Sequence, residues 1–285
     1  MSFAPDARPL FLDAFEGGYA LPAFNVCSLE MAKGCLEAAE QAGVPVILQT
    51  YPSDIEQASP LVFVQLVRAL ADEVSVPVGL HLDHGRDAAQ VRACVDAGYS
   101  SVMFDGQGLA FAEVQRRARE LADLTHAAGA SLEVSAESFG VPGANDNRLE
   151  STDPGQAAIL HAAGADLLAC AVGSEHGHAS RLDLGLLEQI ALQVRGPLVL
   201  HGGSGIAPAD LTASLRLGVV KVNVGSALYR AVRQGWADSA GLPSHRAGYA
   251  NVREAVRAAA LPFLQLLHPQ TFHSQNLDVT VQEPL

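Results

Sequence analysis

One short sequence pattern, an Ala-Gly pair between a helical segment and an apolar run, recurs along the chain and limits the folds that it can adopt. A helical segment ends in Ala-Gly and an apolar run follows at once, in "AGVPV", "AGYSSV", "AGASLEV" and "AGADLL". The glycines are Gly43, Gly98, Gly129 and Gly164. A glycine just past a helix commonly takes a positive φ, which ends the helix. The pattern therefore predicts repeated helix–strand units.

Eight short runs rich in Val, Ile and Leu alternate with segments rich in Ala and Glu. The runs show little polar alternation, which is typical of parallel strands covered on both faces. The predicted strands are 20–26, 44–50, 76–83, 99–106, 130–138, 165–173, 196–203 and 219–226. The predicted helices are 28–42, 56–74, 87–97, 111–128, 154–163, 183–194, 208–217 and one that starts near 226.

This alternation predicts an α/β fold, a single (β/α)8 barrel over residues 1–285. A doubly wound open sheet is the alternative, but no G-x-G-x-x-G follows the first strand. A polar connection at about 138–155 follows the fifth strand and predicts a mobile loop on the catalytic face. A C-terminal helical extension is expected at about 249–268.

The net charge of the chain argues against polyanionic binding partners. There are 18 basic and 31 acidic residues, a net charge of −13, which argues against a nucleic acid or an anionic membrane surface. The sequence has neither an uncharged apolar run of membrane-spanning length nor a signal-peptide pattern at its start. The four cysteines are scattered without a C-x-x-C pair, as reduced thiols would be. We therefore expect a cytoplasmic protein.

Three histidines fall at the ends of predicted strands, where a (β/α)8 barrel builds its active site. His84 directly follows the third strand and its last residue Asp83, His176 follows the sixth, and His201 lies at the end of the seventh. An isolated histidine is usually a surface or core side chain. Three imidazoles on one rim instead favour a catalytic zinc site with an open coordination position. His178 competes with His176 for the second of these positions.

The end of the third strand has to bend if both of its polar residues serve one site. Asp83 and His84 would point to opposite sides of a regular strand. Gly85 directly follows them and is placed to allow that bend.

Carboxylates lie next to the predicted ligands. A carboxylate beside a metal can move a proton on a substrate oxygen, so Asp83 is predicted to be the general acid/base. The alternative is that Asp83 only holds a ligand imidazole in position. Asp105 and Glu137 are predicted to hold ligands or to form another metal site. His81 lies deeper in its strand and is interpreted as a packed, hydrogen-bonded barrel residue.

Two glycine clusters, "HGGSG" (201–205) and "NVGS" (223–226), follow the seventh and eighth strands. Phosphate sites commonly form there in this fold, from backbone N–H groups and helix N-termini. Ser204 and Ser226 add hydroxyl donors. The plainer interpretation is that the glycines form tight turns and that Ser226 caps a helix.

A metal, a phosphate site and a general acid/base on one barrel rim fit two reaction classes. The first is reversible aldol cleavage, and the second is isomerisation or epimerisation of a sugar phosphate. Both need a metal that stabilises an enediolate formed beside a carbonyl. The residues themselves leave the choice between the two open.

Six motifs resemble those of class II, zinc-dependent fructose-bisphosphate aldolases, closest to the tagatose-bisphosphate aldolase branch. They are "PAFN", "HLDHG", "SVMFDG", "GSEHG", "LVLHGGSG" and "KVNVGS", in the family order over roughly residues 20–258. The resemblance implies cleavage of a ketose (bis)phosphate to dihydroxyacetone phosphate and an aldehyde. It also implies one Zn²⁺ per subunit, a monovalent cation (Na⁺ or K⁺) near the phosphate, and a homodimer or homotetramer.

The resemblance also implies a role for each matching residue. Asp83 would be the proton donor and acceptor, and His84, His176 and His201 would bind the zinc ion. The residues implied to bind the sugar phosphate are Asn25, Gly177, Gly202, Gly203, Ser204, Asn223, Val224, Gly225 and Ser226.

The chain departs from the family at three places. At the fifth strand "VSAESFG" replaces the usual "VEAELG", so that Glu137 matches the second acid and Ser135 replaces the first. The following loop reads "PGANDN" where the family has acids, which leaves Asp146 or Glu150 as the loop acid. Near the C-terminus Arg246 is kept as a contact for a second phosphate, while the family's Lys-Pro is lost. These differences also allow a non-catalytic sugar-phosphate-binding homologue.

Overall fold

The computed structural model describes residues 2–136, 151–175, 177–242 and 244–269. Within them, eight parallel strands close into a barrel in chain order, and the last strand pairs with the first. The strands are β1 (Leu21–Asn25), β2 (Val46–Thr50), β3 (Val78–Gly85), β4 (Ser101–Phe104), β5 (Ser131–Ser135), β6 (Leu167–Ala169), β7 (Leu198–Leu200) and β8 (Val219–Val224). The predicted (β/α)8 barrel is confirmed.

Helices surround the barrel on its outer face, apart from the first helix, which covers its amino end. In the described ranges they are α1 (Arg8–Gly17), α2 (Leu29–Ala42), α3 (Pro52–Ala71), α4 (Ala88–Ala97), α5 (Phe111–Ala128), α6 (Pro154–Ala162), α7 (Leu184–Val194), α8 (Pro208–Leu215), α9 (Ser226–Ala237) and α10 (His245–Leu267). None of these helices is long and apolar enough to cross a bilayer.

The recurring Ala-Gly pairs lie at helix ends, as the sequence predicts. Gly43, Gly98 and Gly129 cap α2, α4 and α5 with φ values of 68°, 102° and 72°. Gly164 takes φ 108° after α6. Because this left-handed backbone is readily adopted only without a β-carbon, each glycine ends its helix and releases the chain toward the next strand.

Two helices differ from the prediction. Helix α3 begins at Pro52 rather than near 56, because the Asp54 carboxylate accepts a hydrogen bond from Tyr51 N at 2.7 Å and caps the start. The helix is bent where Ser59 takes φ 54° before Pro60. Helix α1 was not predicted at all.

Helix α1 covers the amino end of the barrel. The segment before it is tied to β3 by a hydrogen bond from Ala4 N to Val78 O of 2.9 Å. Phe11 and Ala14 are fully buried and pack with inward-facing strand residues such as Leu21 and Met103. The floor of the barrel is therefore closed by apolar side chains.

The C-terminal extension is one long helix. Val252, Val256, Ala260 and Leu264 of α10 are buried at a four-residue spacing, which forms one apolar face. The close approach of α10 to α2 requires Gly34, where a β-carbon would lie 2.6 Å from a carbonyl oxygen of α10. The extension expected at 249–268 falls on this helix. Residues 138–150 of the expected mobile loop lie outside the described residues.

Burial of α1 makes a stability prediction with a control in the same helix. Phe11 is 1% exposed, while Leu12 beside it is 52% exposed. Phe11→Ala should lower the free energy of unfolding by about 3–5 kcal/mol, because it leaves a cavity in the barrel floor. Leu12→Ala should cost about 0.5 kcal/mol or less. Urea denaturation of both variants measures the difference, and equal losses would contradict the described packing.

Candidate active site

A cavity of about 760 Å³ lies at the carboxyl ends of the strands. Its wall includes side chains from β1, β3, β5 and β8, together with residues that follow β2, β4, β6, β7 and β8. It brings together ten of the predicted site residues: Asn25, Asp83, His84, Asp105, His201, Gly202, Ser204, Asn223, Gly225 and Ser226.

A bend at the end of β3 turns two successive side chains into the same cavity. In a regular strand Asp83 and His84 would face opposite sides. His84 takes φ 55°, and its ligand atom, that of Asp83 and that of His201 all lie within 4.8 Å of one another. The sequence suggested Gly85 as the residue that bends, but the left-handed backbone is at His84. Gly85 is required for packing instead, since a β-carbon there would lie 2.4 Å from Met103 O.

Three neutral amides hold the Asp83 carboxylate. Asn25 Nδ2 and Gln49 Nε2 donate to Oδ2 at 2.8 and 3.0 Å, and Asn223 Nδ2 donates to Oδ1 at 2.9 Å. Burial opposes ionisation, but nearby His84, His201 and Lys221 and the hydrogen bond from Asn25 outweigh it. The pKa of Asp83 is therefore below its usual value, and the group is a fixed carboxylate.

The His84 ring is oriented by a second carboxylate. Its Nδ1 lies 2.8 Å from Asp105 Oδ2, and its Nε2 lies 3.8 Å from Asp83 Oδ1. Asp105 is fixed in turn, because its Oδ1 accepts a hydrogen bond from Gln107 N at 2.9 Å. Burial raises the pKa of Asp105, but the hydrogen bond and charge of His84 lower it by more. This arrangement directs His84 Nε2 toward Asp83.

Glu133 on β5 is a site residue that sequence reasoning missed. Its Oε1 lies 3.1 Å from His201 Nε2, and its Oε2 accepts from Lys221 Nζ at 2.7 Å. Burial raises the pKa of Glu133, but Lys221 and His201 lower it far more, so it is held ionised. One acid in "SLEVS" and one base in "VVKVNV" were the available signal, because a charge within an apolar strand requires a partner.

His81 is a packed barrel residue, as the sequence indicates. It is fully buried, and its Nδ1 lies 2.7 Å from Ser101 Oγ. Burial lowers its pKa to about 3, so the ring is neutral near pH 7. It does not line the cavity.

The second half of the cavity is suited to an anion. Gly202 and Ser204 follow β7, while Gly225 and Ser226 lie at the start of α9, so the N-terminus of this helix reaches the cavity wall. Ser204 Oγ accepts a hydrogen bond from Ala227 N at 3.1 Å, which joins the two loops. Backbone N–H groups at a helix N-terminus favour a phosphate or carboxylate.

Four other predicted contacts lie off the cavity wall. Gly203 donates its N–H to Asn223 O at 2.9 Å and packs against Val222. Val224 is fully buried. A β-carbon on Gly177 would lie 3.8 Å from Ser226 Oγ, so that glycine is adjacent to the wall. Arg246 is exposed in the first turn of α10. Glu137, Asp146 and His176 lie outside the described residues.

Several polar cavity residues were absent from the predicted site. The Tyr51 ring lies 5.6 Å from the His84 ring, and Tyr51 directly follows β2, so its strand-end position was a usable signal. Tyr229 lies one turn into α9, so its position in the sequence is not at a strand end and does not indicate a site residue. The others on the wall are Ser53, Gln107, Ser135, Ser151 and Ser174.

Comparison with known families gives one assignment for this barrel. Residues 6–269 match the family described as fructose-bisphosphate aldolase class-II. The chain belongs to this family, whose chemistry is that of a lyase and whose members are generally zinc-dependent. An aldolase function is therefore supported by the family as well as by the fold.

Solved structures agree with this assignment. The YdjI aldolase from Escherichia coli K12 is 30% identical over 93% of this chain and 97% of its own, with a TM-score of 0.82. A putative fructose-1,6-biphosphate aldolase from Coccidioides immitis is 27% identical over 96% and 99%, with a TM-score of 0.85. Fructose-bisphosphate aldolase from Campylobacter jejuni, 20% identical over 93% and 95%, shares the fold with a TM-score of 0.80.

The residues described here fit a zinc ion. Asp83, His84 and His201 supply one carboxylate and two imidazoles within 4.8 Å of one another. Each imidazole is hydrogen-bonded through one ring nitrogen to a carboxylate, as metal-ligating histidines almost always are. The two imidazole nitrogens are ligands that suit Zn²⁺, and the Asp83 carboxylate lies beside them.

The tight packing at the β3 bend can be tested with two glycines of the same strand. In Gly85→Ala the new β-carbon meets the backbone oxygen of Met103, which cannot move without shifting β4. We expect a loss of about 1–3 kcal/mol in unfolding free energy. In Gly79→Ala the nearest atom, at 2.6 Å, is the end of the Ile47 side chain, so the loss should be smaller. Denaturant titration measures both, and the reverse order would contradict the packing.

Proposed function

We propose that this protein is a zinc-dependent class II aldolase that reversibly cleaves a ketose (bis)phosphate to dihydroxyacetone phosphate and an aldehyde. The observation that carries the proposal is the fixed Asp83 carboxylate, which shares one cavity with two oriented histidines and a helix N-terminus. The family supports the aldolase class. A cytoplasmic homo-oligomer, with a Na⁺ or K⁺ ion near the phosphate, is part of the same proposal.

Zinc would be held by His84 and His201, together with His176. When bound, it would supply a Lewis acid that polarises the carbonyl group of the substrate. The protein's own contribution is orientation, because Asp105 and Glu133 fix the rings of His84 and His201.

Asp83 is the proposed acid/base. In the cleavage direction its ionised carboxylate accepts the proton of the hydroxyl group on the carbon that becomes the aldehyde, as the adjacent carbon–carbon bond breaks. In condensation it returns that proton to the aldehyde oxygen. The three amides keep both oxygens in place without adding a charge, so Asp83 can gain and lose a proton. Proton exchange at the carbon next to the ketone carbonyl is assigned to a loop acid, Asp146 or Glu150.

The phosphate would be bound by Gly202, Ser204, Gly225 and Ser226. A chain with a net charge of −13 repels an anionic substrate at long range, so the attraction has to be local. Oriented N–H groups at the start of α9 and two serine hydroxyls provide that attraction.

The deciding experiment incubates the enzyme with dihydroxyacetone phosphate and a panel of aldehydes and analyses the products. Formation of a carbon–carbon bond, lost on chelation and regained with zinc, supports the proposal. A rearranged sugar phosphate without bond formation would instead identify an isomerase or epimerase. Zinc and ligand binding without any turnover would identify a non-catalytic homologue.

Asp83→Ala should lower the aldol rate by about 10²–10⁴-fold, since it removes the general acid/base. Zinc content, measured by atomic absorption, should stay near that of the wild type. Asp123→Ala, which changes an exposed acid on α5, is the matched control and should keep the wild-type rate. A fully active Asp83→Ala variant would show that the proposed mechanism is wrong.

Ser226→Ala tests the phosphate site. The variant loses one hydrogen-bond donor, and one hydrogen bond contributes about 1 kcal/mol to binding. The KM for dihydroxyacetone phosphate should therefore rise roughly fivefold. The KM for the aldehyde should change little, because that substrate has no phosphate at this position. Steady-state kinetics with each substrate varied in turn separates the two, and a selective rise in the aldehyde KM would place the phosphate elsewhere.

A further inference from the structure

The two described histidines of the site are held through opposite ring nitrogens. His84 uses Nδ1 toward Asp105 at 2.8 Å, whereas His201 uses Nε2 toward Glu133 at 3.1 Å. A neutral imidazole carries one proton, and the nitrogen without the proton is the one that can coordinate a metal. The partner carboxylate therefore decides which nitrogen each ring presents.

Glu133 is an acceptor in this contact, and Lys221 makes it so. The Lys221 ammonium donates to Oε2 at 2.7 Å, which leaves Oε1 to face His201. The side chains of Glu133 and Lys221 are fully buried and that of His201 is 1% exposed, so bulk water does not compete for these bonds. An ionised carboxylate only accepts, so the proton lies on His201 Nε2.

We infer that Glu133 is a positioning residue that fixes His201 in the tautomer with Nδ1 as its metal ligand, and that Lys221 holds Glu133 for this task. The inference rests on the proposed zinc-dependent function. Glu133 and Lys221 are not on the wall of the active-site cavity, so their buried ion pair can act on the chemistry only through His201. A purely structural pair would support the barrel interior without any influence on the His201 tautomer.

Glu133→Gln separates these two roles with little change of shape. The amide of the variant has only one oxygen. The charged Lys221 ammonium is a stronger donor than the His201 ring N–H, so this oxygen accepts its hydrogen bond from Lys221. The NH2 group then faces His201 Nε2 and requires it to accept, which moves the ring proton to Nδ1. We expect zinc affinity to fall by about 10–100-fold, measured on metal-free protein by competition for zinc with a chromophoric chelator.

The double variant Glu133→Gln with Lys221→Met is the matched rescue. Without the ammonium, the amide oxygen can turn to His201 and accept from Nε2 again. We expect at least a tenfold recovery of zinc affinity over the single variant. The thermal midpoint of each metal-free protein is recorded alongside, so that a change in folding is not mistaken for a change in the ligand.

Histidine two-bond ¹H–¹⁵N spectra of the metal-free proteins measure the tautomer directly. The His201 signals are assigned by their loss in His201→Gln. We expect a proton on Nε2 in the wild type and in the double variant, and on Nδ1 in Glu133→Gln. A wild-type His201 protonated on Nδ1, or a Glu133→Gln variant with unchanged zinc affinity, would overturn the inference. A wild type that binds no zinc would overturn the proposed function, while the spectra still decide the role of Glu133.

Discussion

The pairing of β8 with β1 is the constraint on which the rest of the molecule depends. Leu21 aligns with Lys221 and Ala23 with Asn223, so the sheet closes and has no free edge. A closed ring of parallel strands puts every carboxyl end on one rim. Residues far apart in the chain then meet, as Asp83 and Asn223 do across 140 positions. The site is a property of the closed ring rather than of any single loop.

The two buried acids of the barrel show how their surroundings assign different tasks to the same functional group. Asp83 is surrounded by three neutral amides, which stabilise its charge while leaving it able to exchange a proton. Glu133 faces the Lys221 ammonium directly, so protonation would leave a buried cation without its partner. The first environment suits a group that reacts, and the second suits a group that must stay fixed.

Much of this arrangement could be predicted because its signals are local. Helix-ending glycines, apolar strands and the polar residue that follows each strand are read from short segments, which is why Asp83, His84 and His201 were found. Glu133 and Lys221 were missed as a pair because their contact depends on which strands face each other across the barrel. Helix α1 was missed for a similar reason, since Phe11 has its partners on strands spread over the whole chain.

The backbone conformation at the end of β3 was not predicted, because the usual preference for glycine at positive φ has exceptions at functional sites. Glycine was the expected residue for a bend after β3, yet the histidine itself carries the positive φ. Non-glycine residues with such a backbone are uncommon and persist where the surroundings hold them. Here Asp105 and the close packing of Gly85 against β4 supply that support.

The left-handed backbone of His84 also restricts which residues can replace it in related sequences. Asn, Asp and Gly tolerate that conformation, whereas β-branched residues such as Val, Ile and Thr do not. Substitution of the proposed metal ligand at this position is therefore free of backbone strain mainly for a few small polar residues or glycine. A related protein that kept the barrel without the proposed metal site would still be expected to show one of these residues there.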